Sequence, residues 1–199
     1  EYVDRNFGDA QGLWVCNPDG TQHSIYWGNN TSSPGGVLDA RIIPGTDLCL
    51  ATFAACHDRP WGALAILNRN LGVDGKESVL QTWPADFIDR VSTTTWEDYD
   101  STLSIPLKYE DPFPLDEHFF LASRMTGYQE ETAIILLDTF GHDFVAASIQ
   151  EDNRRLFLVT GHAAGQKGMP IHRARVFLFE RNRKSAGIIL HGGRGHAVD

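Results

Sequence analysis

A chain of 199 residues is long enough to bury a core of its own, and a formal net charge of −9 excludes the basic footprint that nucleic-acid phosphates require. No run of about 18 apolar residues occurs, so membrane insertion by a helix is not expected. Eleven Phe, five Trp and five Tyr beside nineteen Gly suit a fold rich in strands and tight turns.

In chain order, Gly12–Cys16 predicts a strand and Gln22–Trp27 its return, joined by the turn residues Asn17-Pro18-Asp19-Gly20, where Pro presets φ and Asp-Gly tolerates positive φ. Gly28 to Gly36 is a polar loop, Val37 to Ile43 a short extended segment, and Pro44-Gly45-Thr46-Asp47 a second turn. Leu48–Ala54 is apolar nearly throughout, as expected of a central strand covered on both faces. Ala63–Leu67 follows as a strand after the loop Ala55 to Gly62. Residues 83 to 117 carry four prolines (Pro84, Pro106, Pro112 and Pro114) and are expected to form one long connection whose aromatic side chains pack on the core. Strands are then expected at His118–Ser123, Thr132–Leu137, Asp143–Ser148, Arg155–Thr160, Ala174–Phe179 and Ser185–Leu190. No amphipathic run of ten residues with a cap at its start is present, so helices are not expected.

The strand-and-turn phrase recurs in degenerate form at Leu13–Thr21, Ala63–Gly72, Ala133–Gly141 and Ala174–Asn182, and repetition on that scale means stacked supersecondary units. The expected fold is therefore all-β: a β-propeller of about four blade-like units, complete or part of a larger ring, with a β-sandwich or jelly roll as the alternative. Residues 1–199 are taken as one propeller-type unit, to which 151–199 are tied least firmly. Three cysteines (Cys16, Cys49 and Cys56) cannot complete a disulfide set within one chain. Cys16 and Cys49 fall inside expected strands and should behave as small buried hydrophobes.

The run Leu13-Trp14-Val15-Cys16-Asn17-Pro18-Asp19-Gly20-Thr21 resembles the blade motif of TolB-like propellers, whose strands end in a similar Asn-x-Asp-Gly turn. The ordered series Glu1–Arg5, Gly28-Asn29-Asn30, Asp39–Gly45 and Ala63–Asn68 resembles large bacterial proteins related to the alpha subunit of hydrazine synthase. The resemblance covers roughly residues 1–150. It implies a propeller within a multi-domain, exported protein, hence a periplasmic or secreted location. It does not carry over the synthase chemistry, which depends on haem attached through Cys-x-x-Cys-His. Here Phe53 stands where the first cysteine before Cys56-His57 would be, so no haem or other cofactor is expected.

The densest polar constellation is Cys56-His57-Asp58-Arg59-Pro60-Trp61-Gly62. Its donors can contact a ligand, but three consecutive residues rarely serve one ion, and no metal is expected. Structurally, Asp58 should pair with Arg59 or cap a turn while Trp61 plugs between blades. The candidate ligand-binding residues are accordingly His57, Asp58, Arg59 and Trp61, with Asn29 and Asn30 from the polar loop, both loops being expected at one rim. Asp39, Asp58, Asp111, Glu117 and Asp138 near strand ends are the carboxylates an enzyme of glycoside chemistry would draw on, though an acid at a turn more often caps backbone. His162, His172, His191 and His196 lack an accompanying Glu or Cys at a metal-binding spacing. The expected function is a non-catalytic binding or scaffolding module for carbohydrate or a protein partner, able to join an oligomer or larger assembly. The alternative is a propeller enzyme, glycoside-active or a metal- or haem-assisted oxidoreductase, with His57 or Asp58 facing a polar group near Asp111, Glu117 or His118.

Overall fold

The computed structural model describes residues 11–93, 98–127 and 132–148, and the backbone of three further strands, 154–160, 173–180 and 185–191. The fold is all-β, built from antiparallel sheets with only short 3-10 turns beside them among the described residues. β1 (Leu13–Val15) and β2 (Ser24–Trp27) form a hairpin. Its connection is the expected turn: Gly20 sits at φ 81°, and Asp19 Oδ1 accepts from the Thr21 amide and hydroxyl. Cys16 lies just beyond β1 and is exposed, not buried as expected, because a two-stranded hairpin has no second layer over its tip; Cys49 is buried.

The main sheet has eight strands: β3 (Gly36–Ile42), β4 (Cys49–Ala54), β5 (Gly62–Leu67), β6 (Val79–Trp83), β7 (Tyr109–Pro114), β8 (Phe119–Met125), β9 (Thr132–Asp138) and β10 (Asp143–Ser148). It consists of two four-stranded meanders, β3–β6 and β7–β10, that share the outer edge of β5. β6 takes Leu64 to Leu67, and β7 joins only through Gly62↔Tyr109. The sheet is not closed. β11 (Arg154–Thr160), β12 (Arg173–Glu180) and β13 (Ser185–His191) form a separate sheet, with β11 running close to β7, β8 and β9.

β7 corrects the expectation of one long connection from residue 83 to 117, and β6, just before that stretch, is a strand the sequence did not signal. Pro112 and Pro114 disguise β7 in the sequence. A bulge between Glu110 and Phe113 accommodates a strand that proline would otherwise interrupt.

The first three strands of the two meanders pair in the same register. In the first, Leu38 pairs with Thr52 and Arg41 with Leu50; in the second, Glu110 pairs with Ser123 and Phe113 with Leu121. Each first strand therefore carries one extra residue at the same place. In each bulge an aspartate adopts positive φ, Asp39 at 50° and Asp111 at 53°. The match continues outward, with Thr52 opposite Leu64 and Ser123 opposite Ile134. It ends on Asn68 and Asp138, whose side chains accept the amide two residues on.

Alternation along β4 and β5 sorts the core into two layers. Cys49, Ala51, Phe53, Ala63, Ala65 and Leu67 face Tyr26, Trp27 and Phe87. Leu50, Leu64 and Ile66 face the second meander, against Tyr109, Phe120, Ala122, Ile135 and Leu137. β4 is buried throughout and apolar but for Thr52, because both of its faces are covered, as expected.

Candidate functional site

The segment from Ala55 to Trp61 links β4 to β5 at the end where β7 joins the sheet. Its anchor is backbone: the Cys56 amide donates to the Tyr99 carbonyl at 2.9 Å. Gly35 makes that approach feasible, since a Cβ there would stand 2.1 Å from the Tyr99 oxygen.

Asp58 does not pair with the Arg59 side chain. It receives the Lys108 ammonium at 2.6 Å and the Arg59 amide at 2.8 Å, so the turn-capping half of the expectation holds. Burial alone would raise its carboxyl; the hydrogen bonds from Lys108 and the Arg59 amide, with the Lys108 charge, hold it below the ordinary carboxylate range. Arg59 instead reaches Glu110 at 3.6 Å and lies 4.3 Å from the centre of the buried Trp61 ring, which Lys108 also approaches at 5.3 Å. Sequence reasoning missed Lys108 and Glu110 because they come from β7 and the residue before it.

His57 is the member of the segment that projects, its side chain 71% exposed. Its amide donates to Asp100 Oδ1 and its Nδ1 lies 3.0 Å from Asp100 Oδ2. Burial pushes the Asp100 carboxyl up, but the bonds from His57 outweigh it and hold the group below the ordinary range. Asp100 is thus ionised and can only accept. In the neutral ring the proton therefore sits on Nδ1, and Nε2 is the acceptor nitrogen.

Asp100 also borders an open cleft of about 550 Å³ lined by Asp89, Arg90, Asp98, Ser101, Leu103 and Ser104 among others. Arg90 is oriented within it by the Ser101 carbonyl and the Ser104 hydroxyl. The cleft had no sequence signal beyond the acid-rich stretch around residue 98, because its walls are 3-10 turns, Ala85–Arg90 and Ser101–Ser104.

The polar loop is placed differently from the two expected rim segments. Residues 31–36 are buried, with Ser33 Oγ donating to Ser101 Oγ at 2.8 Å. Asn29 is buried and Asn30 exposed; the Asn30 amide and the Thr31 hydroxyl donate to Asp74 Oδ1. The loop meets the His57 segment at Gly35, not through Asn29 or Asn30. Trp27, Trp61 and Trp83 are buried, so they form no exposed aromatic platform.

The candidate carboxylates separate as well. Asp138 holds His142 Nδ1 at 2.9 Å and two turn amides, while Glu117 lies 3.5 Å from His118. Asp39 acts on Asp111 across the two bulges. Burial first, then the charges of Glu110 and Asp39, push the Asp111 carboxyl from 3.8 up to about 7, with Arg41 opposing. Burial raises the Asp39 carboxyl in the same direction, again with Arg41 opposing.

A carboxyl raised by folding removes stability as the pH climbs from about 4 to 7, and the loss persists above that. Asp111→Asn, which tolerates the same positive φ, should therefore gain about 1–2 kcal/mol at pH 8 after allowance for solvent screening, and almost nothing at pH 4. Urea titrations at the two pH values check this; an equal effect at both would remove the electrostatic account.

Among the described residues, no three His, Cys, Asp or Glu side chains come together in a way that can hold a metal ion. No helix there is long and apolar enough to cross a membrane. Of the late histidines, His162, His172 and His196 lie outside the described residues, and His191 is described only as backbone at the end of β13. Comparison with family models, curated proteins and solved structures finds no match to this chain.

Proposed function

We propose that the chain is a non-catalytic binding module of β-propeller type, with its ligand site in the cleft bordered by Asp100, the partner of His57, and carbohydrate as the ligand class. The propeller reading is supported by the register match of the two meanders, whose bulged first strands lie beside each other: Arg41 sits 5.9 Å from the Phe113 ring centre. Stacked, near-identical antiparallel units are how propellers are built. An exported location belongs to the same proposal and rests on the resemblance alone.

The observation that carries the binding reading is the fate of the His57–Trp61 side chains. Asp58, Arg59 and Trp61 are engaged with Lys108 and Glu110 in holding the loop to β7. The polar side chain that remains facing solvent is His57, fixed by Asp100, and Asp100 itself borders a cleft of carboxylates, hydroxyls and one arginine. Carboxylates that accept from neighbouring hydroxyls, and an arginine that donates back, suit a polyhydroxylated ligand.

An oligosaccharide array followed by calorimetry tests this. The expected result is a saturable glycan ligand whose affinity falls about tenfold in Asp100→Asn, which frees His57 and neutralises one wall of the cleft. Absence of any glycan ligand, or binding indifferent to that substitution, overturns it. One observation favours a second reading, a glycoside-active enzyme: Asp100 holds His57 by Nδ1, which leaves Nε2 of the neutral ring free to accept a proton. Shortened oligosaccharides in the same incubation would establish that reading in place of the first.

A further inference from the structure

The four connections between paired strands of the two meanders, 43–48, 68–78, 115–118 and 139–142, lie at one end of the fold, because β3 and β7 run side by side, with Asp39 close enough to act on Asp111 and Arg41 5.9 Å from the Phe113 ring centre. That end exposes large apolar side chains among its polar ones. Ile42 and Leu71 on the first meander are exposed, as are Leu115, Phe119 and Phe140 on the second, with Phe140 71% exposed and Phe144 beside it at 57%. On the second meander the surface is continuous: Phe140 lies 5.8 Å from the His118 ring, Phe119 pairs with Asp138 on the neighbouring strand, and His142 stands 6.2 Å from Phe144. Scattered exposed apolar residues need no explanation, but a belt of aromatic and aliphatic side chains along one rim marks an interaction surface.

Charge narrows the occupant. The same four connections carry the carboxylates Asp47, Asp74, Glu77, Asp116 and Glu117 against two bases, Arg69 and Lys76. An identical rim on a second copy would place these carboxylates against their own kind, and anionic lipid or nucleic acid would be repelled. Isoleucine and leucine offer nothing to a sugar hydroxyl.

We infer that this rim is a docking surface for a protein segment that combines apolar with basic side chains. The apolar residues cover Phe119 and Phe140, and the Lys or Arg residues complement the acidic connections. The surface is separate from the His57 cleft and stands whether or not a glycan binds there.

The test is selection of a phage-displayed library of random 12-residue peptides on the full chain. Enriched peptides are expected to be rich in Lys or Arg together with Leu, Phe or Trp. Binding of the synthesised peptides should weaken with salt, fall about tenfold or more in Phe140→Ser, and fall by a smaller factor in Glu117→Lys. Both positions are exposed, and circular dichroism confirms that each variant keeps the fold. No enrichment above that on a Phe119→Ser/Phe140→Ser chain overturns the inference, as do acidic consensus peptides or affinity unchanged by Phe140→Ser. Self-association of the chain that Phe140→Ser abolishes assigns the rim to a second copy and overturns it. Binding to phosphatidylcholine vesicles lost in the same variant assigns the rim to a membrane and overturns it equally.

Discussion

Gly62→Ala is expected to be the most damaging single-methyl change in the molecule, costing about 4 kcal/mol or more. A Cβ at Gly62 would stand 2.0 Å from the Phe53 carbonyl oxygen and 3.1 Å from the Thr102 Cβ. The first obstacle is backbone of a central strand and cannot rotate away. The residue also pairs with Ala54 on one side and with Tyr109 on the other, so any shift is passed to both neighbours. Gly35→Ala meets the same kind of obstacle, the Tyr99 oxygen at 2.1 Å. Gly20→Ala separates sterics from conformation: its φ is 81° with open space around it, so only the left-handed penalty of about 1 kcal/mol applies. Urea denaturation of the three variants gives the ranking. A Gly62→Ala loss no larger than that of Gly20→Ala would show that the strand crossing at Phe53 yields readily to an added methyl.

Phe53→Ala is expected to remove about 3–5 kcal/mol, the range for a large aromatic deleted from a packed interior. Phe53 is fully buried, stacks on Trp27 with ring centres 5.0 Å apart and 17° between planes, and tilts against Phe87 at 6.2 Å. About 1 kcal/mol of the loss belongs to the ring pairing rather than to buried area. Trp27 stays anchored by its indole N–H to Ser78 Oγ at 2.6 Å, so it cannot swing in to fill the space. The same substitution at Phe140, exposed in the β9–β10 turn, should change stability by less than about 0.5 kcal/mol. A Phe53→Ala cost below about 1.5 kcal/mol would mean that the layer under the β1–β2 hairpin collapses around the cavity instead of holding its shape.

Most of the strands were legible because burial on two faces leaves a continuous apolar run, as in β4, β5 and β9, and because Pro44-Gly45 and Asn17-Pro18-Asp19-Gly20 are turn chemistry. β7 was not legible. Its sequence, Tyr109-Glu110-Asp111-Pro112-Phe113-Pro114, offers two prolines and an acidic pair, and only the bulge and a place beside β3 make a strand of it. The loop from Gly28 to Gly36 was misplaced for the opposite reason. Its hydroxyls and amides suggest solvent, yet the buried Ser33 and Thr31 find Ser101 and Asp74, which makes their burial tolerable. The site was half visible: His57 through Trp61 stand out as a polar run, but the groups that decide their roles, Asp100, Lys108 and Glu110, lie some fifty residues away by chain and carry no spacing signal. The one-residue match between the meanders was equally hidden, since an inserted residue looks the same as any other until strands are paired.

The junction at Gly62 and Tyr109 has a mechanical consequence. Eight strands count as one sheet, yet across most of its width the ladder between the two meanders is a single pair, the rest of β5's edge being taken by β6. Tension applied across the strands would load that one rung while the neighbouring ladders share their load over four to seven pairs. The sheet has a waist: resistance to pulling there resides in the apolar contact between the two layers, and each meander would part from the other as an intact plate.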